Sequence, residues 1–333
     1  MESTLQHPME LNEVARLNTA VDKLSHRLLS TIGQQVHDHL THYLTLPHQL
    51  NQLNAGLMLS GQLDINDLKA SSQHFWRQAK IFENFSYIGA AIVSGKEAGA
   101  GIWVTGVDLS VYENPGGKGY DYAADDQGNA THLIQSYDYD PFGEPWRKKI
   151  MAEGKPAWTP VYTTEIATDV VDGGQELEQD QFSNVGYEYY VCLNAEYPLV
   201  NRDGTLLGFT VVDLLVTDIG KFLANLPISA AGQVFVMERD GMLVASSSAY
   251  PMLYKLDGTA TRYSVFNTPD PVVKAVGTAL TQKFQDFHTI QTTQQFDFSQ
   301  ESGDRQFVHI APWQDEYGLD WLVVVTLPES DFV

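Results

Sequence analysis

Between Pro8 and Pro47 the chain carries an apolar stripe that admits little except a helix. Leu11, Val14, Leu17, Val21, Leu24 and Leu28 recur at three- and four-residue steps, and Ile32, Val36, Leu40 and Leu44 continue the series. Such steps keep side chains on one side of an α-helix, here over about ten turns. The opposite side holds Glu13, Arg16, Lys23, His26, Gln35 and Asp38. One narrow stripe on so long a helix serves either as the seam of a stalk or dimer or as the face that lays the helix along its own domain. The spacing leaves both open. His37, His39, His42 and His48 share this stretch. Residues 37 and 39 point to different faces and no HExxH pattern is present, so solvated helix histidines are expected and not a metal site.

Past Pro47 the pattern predicts a second helix over about Leu50 to Gly61 and a third over Ile65 to Phe82. Strand-like runs follow at Tyr87 to Ser94 and Gly99 to Val107, split by Gly95-Lys96-Glu97-Ala98. Residues 113–129, rich in Gly, Asp and Asn, read as an exposed loop, with Asp121, Asp125 and Asp126 solvated because their spacing is not that of a calcium loop. Thr131 to Tyr137 reads as a strand, and Pro145 to Glu153 as a helix closed by Gly154 and Pro156. A strand starts at Val161, residues 169–184 form an acidic loop, and Tyr187 to Val200 and Leu206 to Leu215 are long strands joined by Asn201-Arg202-Asp203-Gly204. A smaller set repeats the theme: a helix from Thr217 to Leu226, a hairpin of Gln233 to Glu238 and Leu243 to Ser246, a helix from Pro271 to Gln282, and strands Phe307 to Pro312 and Trp321 to Leu327. The expected fold is α+β: a long N-terminal helix region (1–60), then two units (61–215 and 216–333), each an antiparallel sheet flanked by helices.

The 333 residues include 42 acidic against 20 basic side chains, a net charge of −22. That surface repels phosphate backbones and anionic headgroups, which argues against nucleic-acid and peripheral membrane binding and leaves room for cationic ligands. A single cysteine, Cys192, allows no internal disulfide and sits in a strand-like run with Tyr189 and Tyr190, unlike a reactive thiolate. No apolar run approaches the ~18–20 residues of a membrane helix, and no signal peptide opens the chain. The start Met1-Glu2-Ser3-Thr4 suits a native terminus or an excised fragment equally. No GxSxG, P-loop or GxGxxG stands at a strand–helix junction, and Gly99-Ala100-Gly101 is only part of a strand. No catalytic residue, metal or cofactor is expected.

Two segments carry a resemblance. Tyr139-Asp140-Pro141-Phe142-Gly143-Glu144-Pro145-Trp146-Arg147 and Gly154-Lys155-Pro156-Ala157-Trp158-Thr159-Pro160-Val161-Tyr162 are similar, in order and spacing, to the signature of the double-Cache family, tandem PAS-like sensor domains. Ala195 to Val200, Leu207 to Asp213, and the hairpin Gly232 to Ser247 resemble the family's later strands, so the likeness spans most of the chain. It implies the extracytoplasmic, periplasmic sensing part of a transmembrane receptor, with a membrane-distal ligand-binding unit (61–215) and a membrane-proximal relay unit (216–333). It also implies a small-molecule ligand, a membrane anchor in the full-length protein and no enzymatic activity. A homodimer through the N-terminal helix is expected, and a ligand-free dimerising spacer is the alternative.

In the family's amino-acid-binding branch the resemblance carries a pocket onto Tyr139, Trp146, Tyr162 and Asp213. Three positions depart from it. Glu144 stands where an Arg grips the ligand's carboxylate, Thr164 where an Asp is usual, though Glu165 is adjacent, and Arg147 where a Tyr follows the Trp. An Arg fork holds a carboxylate by two charged hydrogen bonds, and a Glu reverses the charge offered. The ligand expected is therefore an amine, a modified amino acid or another small polar molecule boxed by aromatic rings, unless Arg147 turns inward as a substitute grip. Plainer roles stay open: Trp146 and Trp158 as core anchors, Asp213 as a helix cap, Glu144 as a helix-dipole partner.

Overall fold

The computed structural model describes residues 6–102, 109–167, 187–229, 231–257, 259–300 and 303–332. It is an α+β molecule, opened by one 54-residue helix, α1 (Gln6–Leu59). The expected break at Pro47 does not occur: Pro47 lies inside α1. A proline there removes a single N–H from the helix ladder, and the neighbouring Tyr43, Leu44 and Leu50 are buried, so packing holds the turn together. Contacts divide the chain into two compact units, one of His42–Asp218 with Glu316–Gly318, the other of Met1–Thr41, Ile219–Asp315 and Leu319–Val333.

The first unit contains the end of α1, helix α2 (Leu68–Ile81) and strands β1 (Phe85–Ile92), β2 (Glu97–Gly101), β3 (Ser110–Asn114), β4 (Lys118–Ala124) and β5 (Ala130–Asp138). Helix α3 (Pro145–Glu153) follows, then β6 (Ala157–Trp158), β7 (Tyr162–Ala167), β8 (Tyr187–Val200) and β9 (Leu206–Leu215). These nine strands form one sheet in the order β5-β4-β3-β2-β1-β9-β8-β6, with β7 also paired to β8. The expected loop at 113–129 is largely sheet: β3 and β4 pair antiparallel, as do β4 and β5. Its glycines had suggested irregular chain, but Gly116 and Gly117 make only the tight turn between two strands. The loop expected at 169–184, and residues 103–108, lie outside the described residues.

Strand register sorts the sheet's side chains by face, since directly opposed residues point the same way. One face carries Ile88, Ala100, Val111, Ala195 and Val212 and packs against helices. Helix α2 lies against β1, β2 and β3. Asn51 of α1 donates to the Ala195 carbonyl at 2.8 Å and accepts from Thr210 Oγ1 through its own carbonyl at 3.0 Å, pinning α1 to β8 and β9. The other face is covered by α3, whose Ile150 and Met151 pack with Tyr87, Ala91, Phe209 and Val211. Pro145 opens α3 and Gly154 closes it in the left-handed region at φ 64°, as the sequence predicted.

The second unit contains residues of α1 up to Thr41, helices α4 (Thr217–Ala224, from Ile219 on) and α5 (Pro271–Phe284), and a five-stranded antiparallel sheet. Its strands are β10 (Gln233–Glu238), β11 (Leu243–Ser246), β14 (Gln294–Ser299), β15 (Arg305–Gln314) and β16 (Asp320–Pro328), in the order β11-β10-β16-β15-β14. A separate hairpin pairs β12 (Leu253–Leu256) with β13 (Thr259–Arg262). Phe235, Met237, Val276, Leu280, Val308, Ile310, Leu322 and Val324 are part of its apolar core. Along α1 the buried line in this unit is Val21, Ser25, Leu29, Ile32, Val36 and Leu40, while Leu17 and Leu24 are exposed. Most of the apolar stripe thus lays the helix on its own domain. Leu24 lies off that line because it falls three residues past Val21, about 60° around the helix on the side away from Ser25, where the line continues.

Candidate functional site

On the α3-covered face of the first unit, register places Tyr87, Asp213 and Asn194 side by side across β1, β9 and β8. The next row along the same face runs Gly89, Val211 and Glu196, and continues outward through Gly99, Tyr112, Asp121 and Gln135. Glu97 on β2, opposite Ala91, belongs to the same face. Four carboxylates therefore share one side of the sheet, and Glu97, Asp121, Glu196 and Asp213 are all buried.

Among the described residues one buried cation on this face, Arg147, answers them. Arg147 of α3 reaches the sheet, with Nε 2.7 Å and Nη2 2.6 Å from Oε1 of Glu196. Its Nη1 donates to the Tyr139 hydroxyl at 3.0 Å and to the Pro141 carbonyl at 2.6 Å. The guanidinium lies 4.8 Å from the Trp146 ring centre and 4.4 Å from that of Phe209. Four contacts occupy a fork that has five N–H groups. Burial opposes the Arg147 charge, but the Glu196 carboxylate beside it holds its pKa well above the ordinary value.

All four acids keep one under-satisfied oxygen. Asp213 Oδ1, Glu97 Oε2, Asp121 Oδ1 and Glu196 Oε2 are buried without a hydrogen-bond partner. Burial raises the Asp213 carboxyl well above the carboxylate range, with Arg147 opposing and Glu196 and Glu97 adding to the rise. Burial also pushes Glu97 up to about 7 and Asp121 to about 6. Oε1 of Glu97 accepts from the Tyr87 hydroxyl at 3.0 Å, and Oδ2 of Asp121 accepts from Gln135 Nε2 at 2.7 Å. The Tyr87 ring lies over Gly89 and Gly99, where any Cβ would collide with it. Tyr162, on the same face through its register with Cys192, donates to Asn194 Oδ1 at 2.9 Å and stacks on Trp146 with ring centres 6.4 Å apart.

Of the residues singled out in the sequence, Tyr139, Trp146, Arg147, Tyr162 and Asp213 come together here, and Thr164 shares their face through its register with Tyr190. Glu144 does not join them. It is the N-cap of α3, exposed and without a side-chain cap bond, because the turn before Pro145 directs it outward. The negative charge on this face comes instead from Glu97, Asp121 and Glu196, none of which the motif named. Asp121 is buried at 1% exposure in β4 and is not the solvated loop residue expected, whereas Asp125 is exposed. The signal that could have found the acids was an acid inside an apolar or aromatic run, as with Glu196 between Ala195 and Tyr197 and Asp121 between Tyr120 and Tyr122. Trp158 points to the opposite face, in register with Ala195, and is a core anchor. His48 also departs from expectation. It is buried, stacked on Tyr317 at 3.6 Å and edge-on to Trp158, and desolvation lowers its pKa to about 3. Among the described residues no group of three or more His, Cys, Asp or Glu is placed to hold a metal ion.

Comparison with protein-family models gives no match, and the curated proteins give none either. Solved structures do match. A methyl-accepting chemotaxis protein X aligns over 93% of this chain and 99% of its own, with TM-score 0.54 and 14% identity. The ligand-binding domain of the Campylobacter jejuni chemoreceptor Tlp3, solved with L-valine, aligns over 94% and 96% with TM-score 0.54 and 11% identity. The extracellular domain of the histidine kinase mmHK1S-Z2 aligns over 92% and 98% with TM-score 0.51 and 7% identity. The chain has the double-Cache fold. The acid-lined face belongs to its first Cache unit. Double-Cache neighbours of this chain are periplasmic or extracellular sensor domains. Among the described residues, no helix is long and apolar enough to cross a membrane.

Proposed function

We propose that this double-Cache chain is the extracytoplasmic ligand-sensing part of a membrane-anchored signalling receptor and that it binds a small amine or amino-acid-like molecule at Asp213. The observation that carries this reading is the Asp213 carboxylate: buried, without a hydrogen-bond partner on Oδ1, and beside the stacked Trp146 and Tyr162 rings. A buried acid left so is destabilising in the free protein, and an ammonium group from a ligand relieves it. Tyr139, Trp146 and Tyr162 supply aromatic faces for a cation, and Thr164 a hydroxyl. Arg147, already held by Glu196, does not substitute for the missing carboxylate grip at position 144.

In this reading the first Cache unit is membrane-distal and receives the ligand, and the second is membrane-proximal and relays the change through β16 to the C-terminal exit. A ligand shifts such an equilibrium only by its different affinity for the two states. Exposed Leu17 and Leu24, seven residues apart on α1, support a homodimer through that helix. The test is thermal denaturation against a panel of amines, amino acids and organic acids. A true ligand at about 100 times its Kd stabilises by about 2.7 kcal/mol, raising Tm by several degrees, and Asp213→Asn abolishes the amine-dependent part. A panel that leaves Tm unmoved favours a ligand-free dimerising spacer instead.

A further inference from the structure

We infer that the ligand of the first Cache unit is a short organic dication, one ammonium group at Asp213 and the second at Glu97, with its carbon chain along the Tyr87 ring. This rests on the reading that Asp213 receives an amine.

The argument begins with charge balance. Among the described residues the face buries Glu97, Asp121, Glu196 and Asp213 against one cation, Arg147, whose closest ion pair is with Glu196. Neutralising Glu196 leaves three acids with no cation of their own. A single ammonium at Asp213 would leave Glu97 and its unpartnered Oε2 unanswered. A divalent metal does not fit, because among the described residues no three acidic, His or Cys side chains gather on one point. The missing positive charge is therefore distributed, which is what a molecule with two separated ammonium groups provides.

Tyr87 joins the two poles. Its Cα stands opposite Asp213 in the sheet, and its hydroxyl reaches Glu97 across the bare backbone of Gly89 and Gly99. The ring runs from one acid to the other within the apolar layer it shares with Ile150 and Met151 of α3, and a chain of methylenes would lie in that layer. Glu97 lies close enough to Asp213 to add, with Glu196, to the burial that raises its proton affinity, while Arg147 opposes the rise. Without ligand, Glu97 at about 7 and Asp121 at about 6 hold part of their charge as protons near neutrality, and a dication would displace those protons.

Isothermal titration of the intact chain with putrescine, cadaverine, 1,3-diaminopropane, n-butylamine and L-valine tests this. The best diamine should bind about 10- to 100-fold more tightly than n-butylamine, the gain of one further charge-assisted contact. The apparent enthalpy should depend on the buffer, reporting proton release. Glu97→Gln should bring the diamine-to-butylamine ratio close to one, and its fold is checked by Tm. The inference is overturned if n-butylamine or L-valine matches the best diamine in the unaltered protein, a comparison that needs no variant, or if the ratio survives Glu97→Gln. Either outcome leaves an amine site at Asp213 standing. Failure of every amine to bind overturns both readings.

Discussion

At the scale of single residues, Arg147 and Asp213 are opposite cases of buried charge. Arg147 is an ion with a partner, and its loss strands Glu196 in a dry interior. Arg147→Met should therefore destabilise by about 3–5 kcal/mol, read as a lower Tm with or without ligand. Asp213 has no hydrogen-bond partner on Oδ1 to strand. Asp213→Asn keeps the shape and removes a desolvated acid, so the ligand-free protein should gain thermal stability while losing its response to amines. Equal destabilisation by the two substitutions would contradict this division. The sequence could name both residues through the motif but not their difference, because the deciding partner, Glu196, sits on another strand at a distance only register reveals.

At the scale of elements, the sequence was most informative where local chemistry decides the outcome. Pro145 and Gly154 bound α3 as read, and Tyr187–Val200 and Leu206–Leu215 are the strands expected. It was least informative where tertiary packing overrides local preference: α1 runs through Pro47, and Gly-rich 113–129 is sheet. The face of a strand is also hidden until its neighbours are known, which is why Asp121 looked solvated. Gly154 offers a clean measurement of one local term. Its φ of 64° is unfavourable for residues with a Cβ, yet the nearest atom to an added Cβ is Val200 Cγ2 at 3.8 Å. Gly154→Ala should thus cost about 1 kcal/mol from backbone alone. A much larger loss in Tm would mean that the end of α3 is packed more tightly than its geometry indicates.

At the scale of the whole molecule, the interior acids link stability to pH. Burial raises Glu97 from its ordinary 4.5 to about 7, so the folded state binds more protons than the unfolded chain between those values. Its contribution is fully present below about pH 4 and is lost as pH rises through 7. His48, lowered to about 3, acts in the other direction below its ordinary value of 6.5, and Asp121 and Asp213 are raised as Glu97 is, so the melting temperature of the unaltered protein blends them all. The difference between Glu97→Gln and the unaltered protein isolates one of them. That difference should widen in favour of the variant as pH is raised from about 5 to 8, and a gap that stays flat would place Glu97 in contact with water.

The same unneutralised carboxylates would have a consequence for a cell that carries the proposed receptor. If its ligand is the proposed cation, hydrogen ions compete with that solute for the oxygens of Glu97, Asp121 and Asp213. Acid surroundings would dull the response to a given dose of the solute, and mildly alkaline ones would sharpen it. What the detector reports is then a chemical concentration weighted by the acidity of the medium.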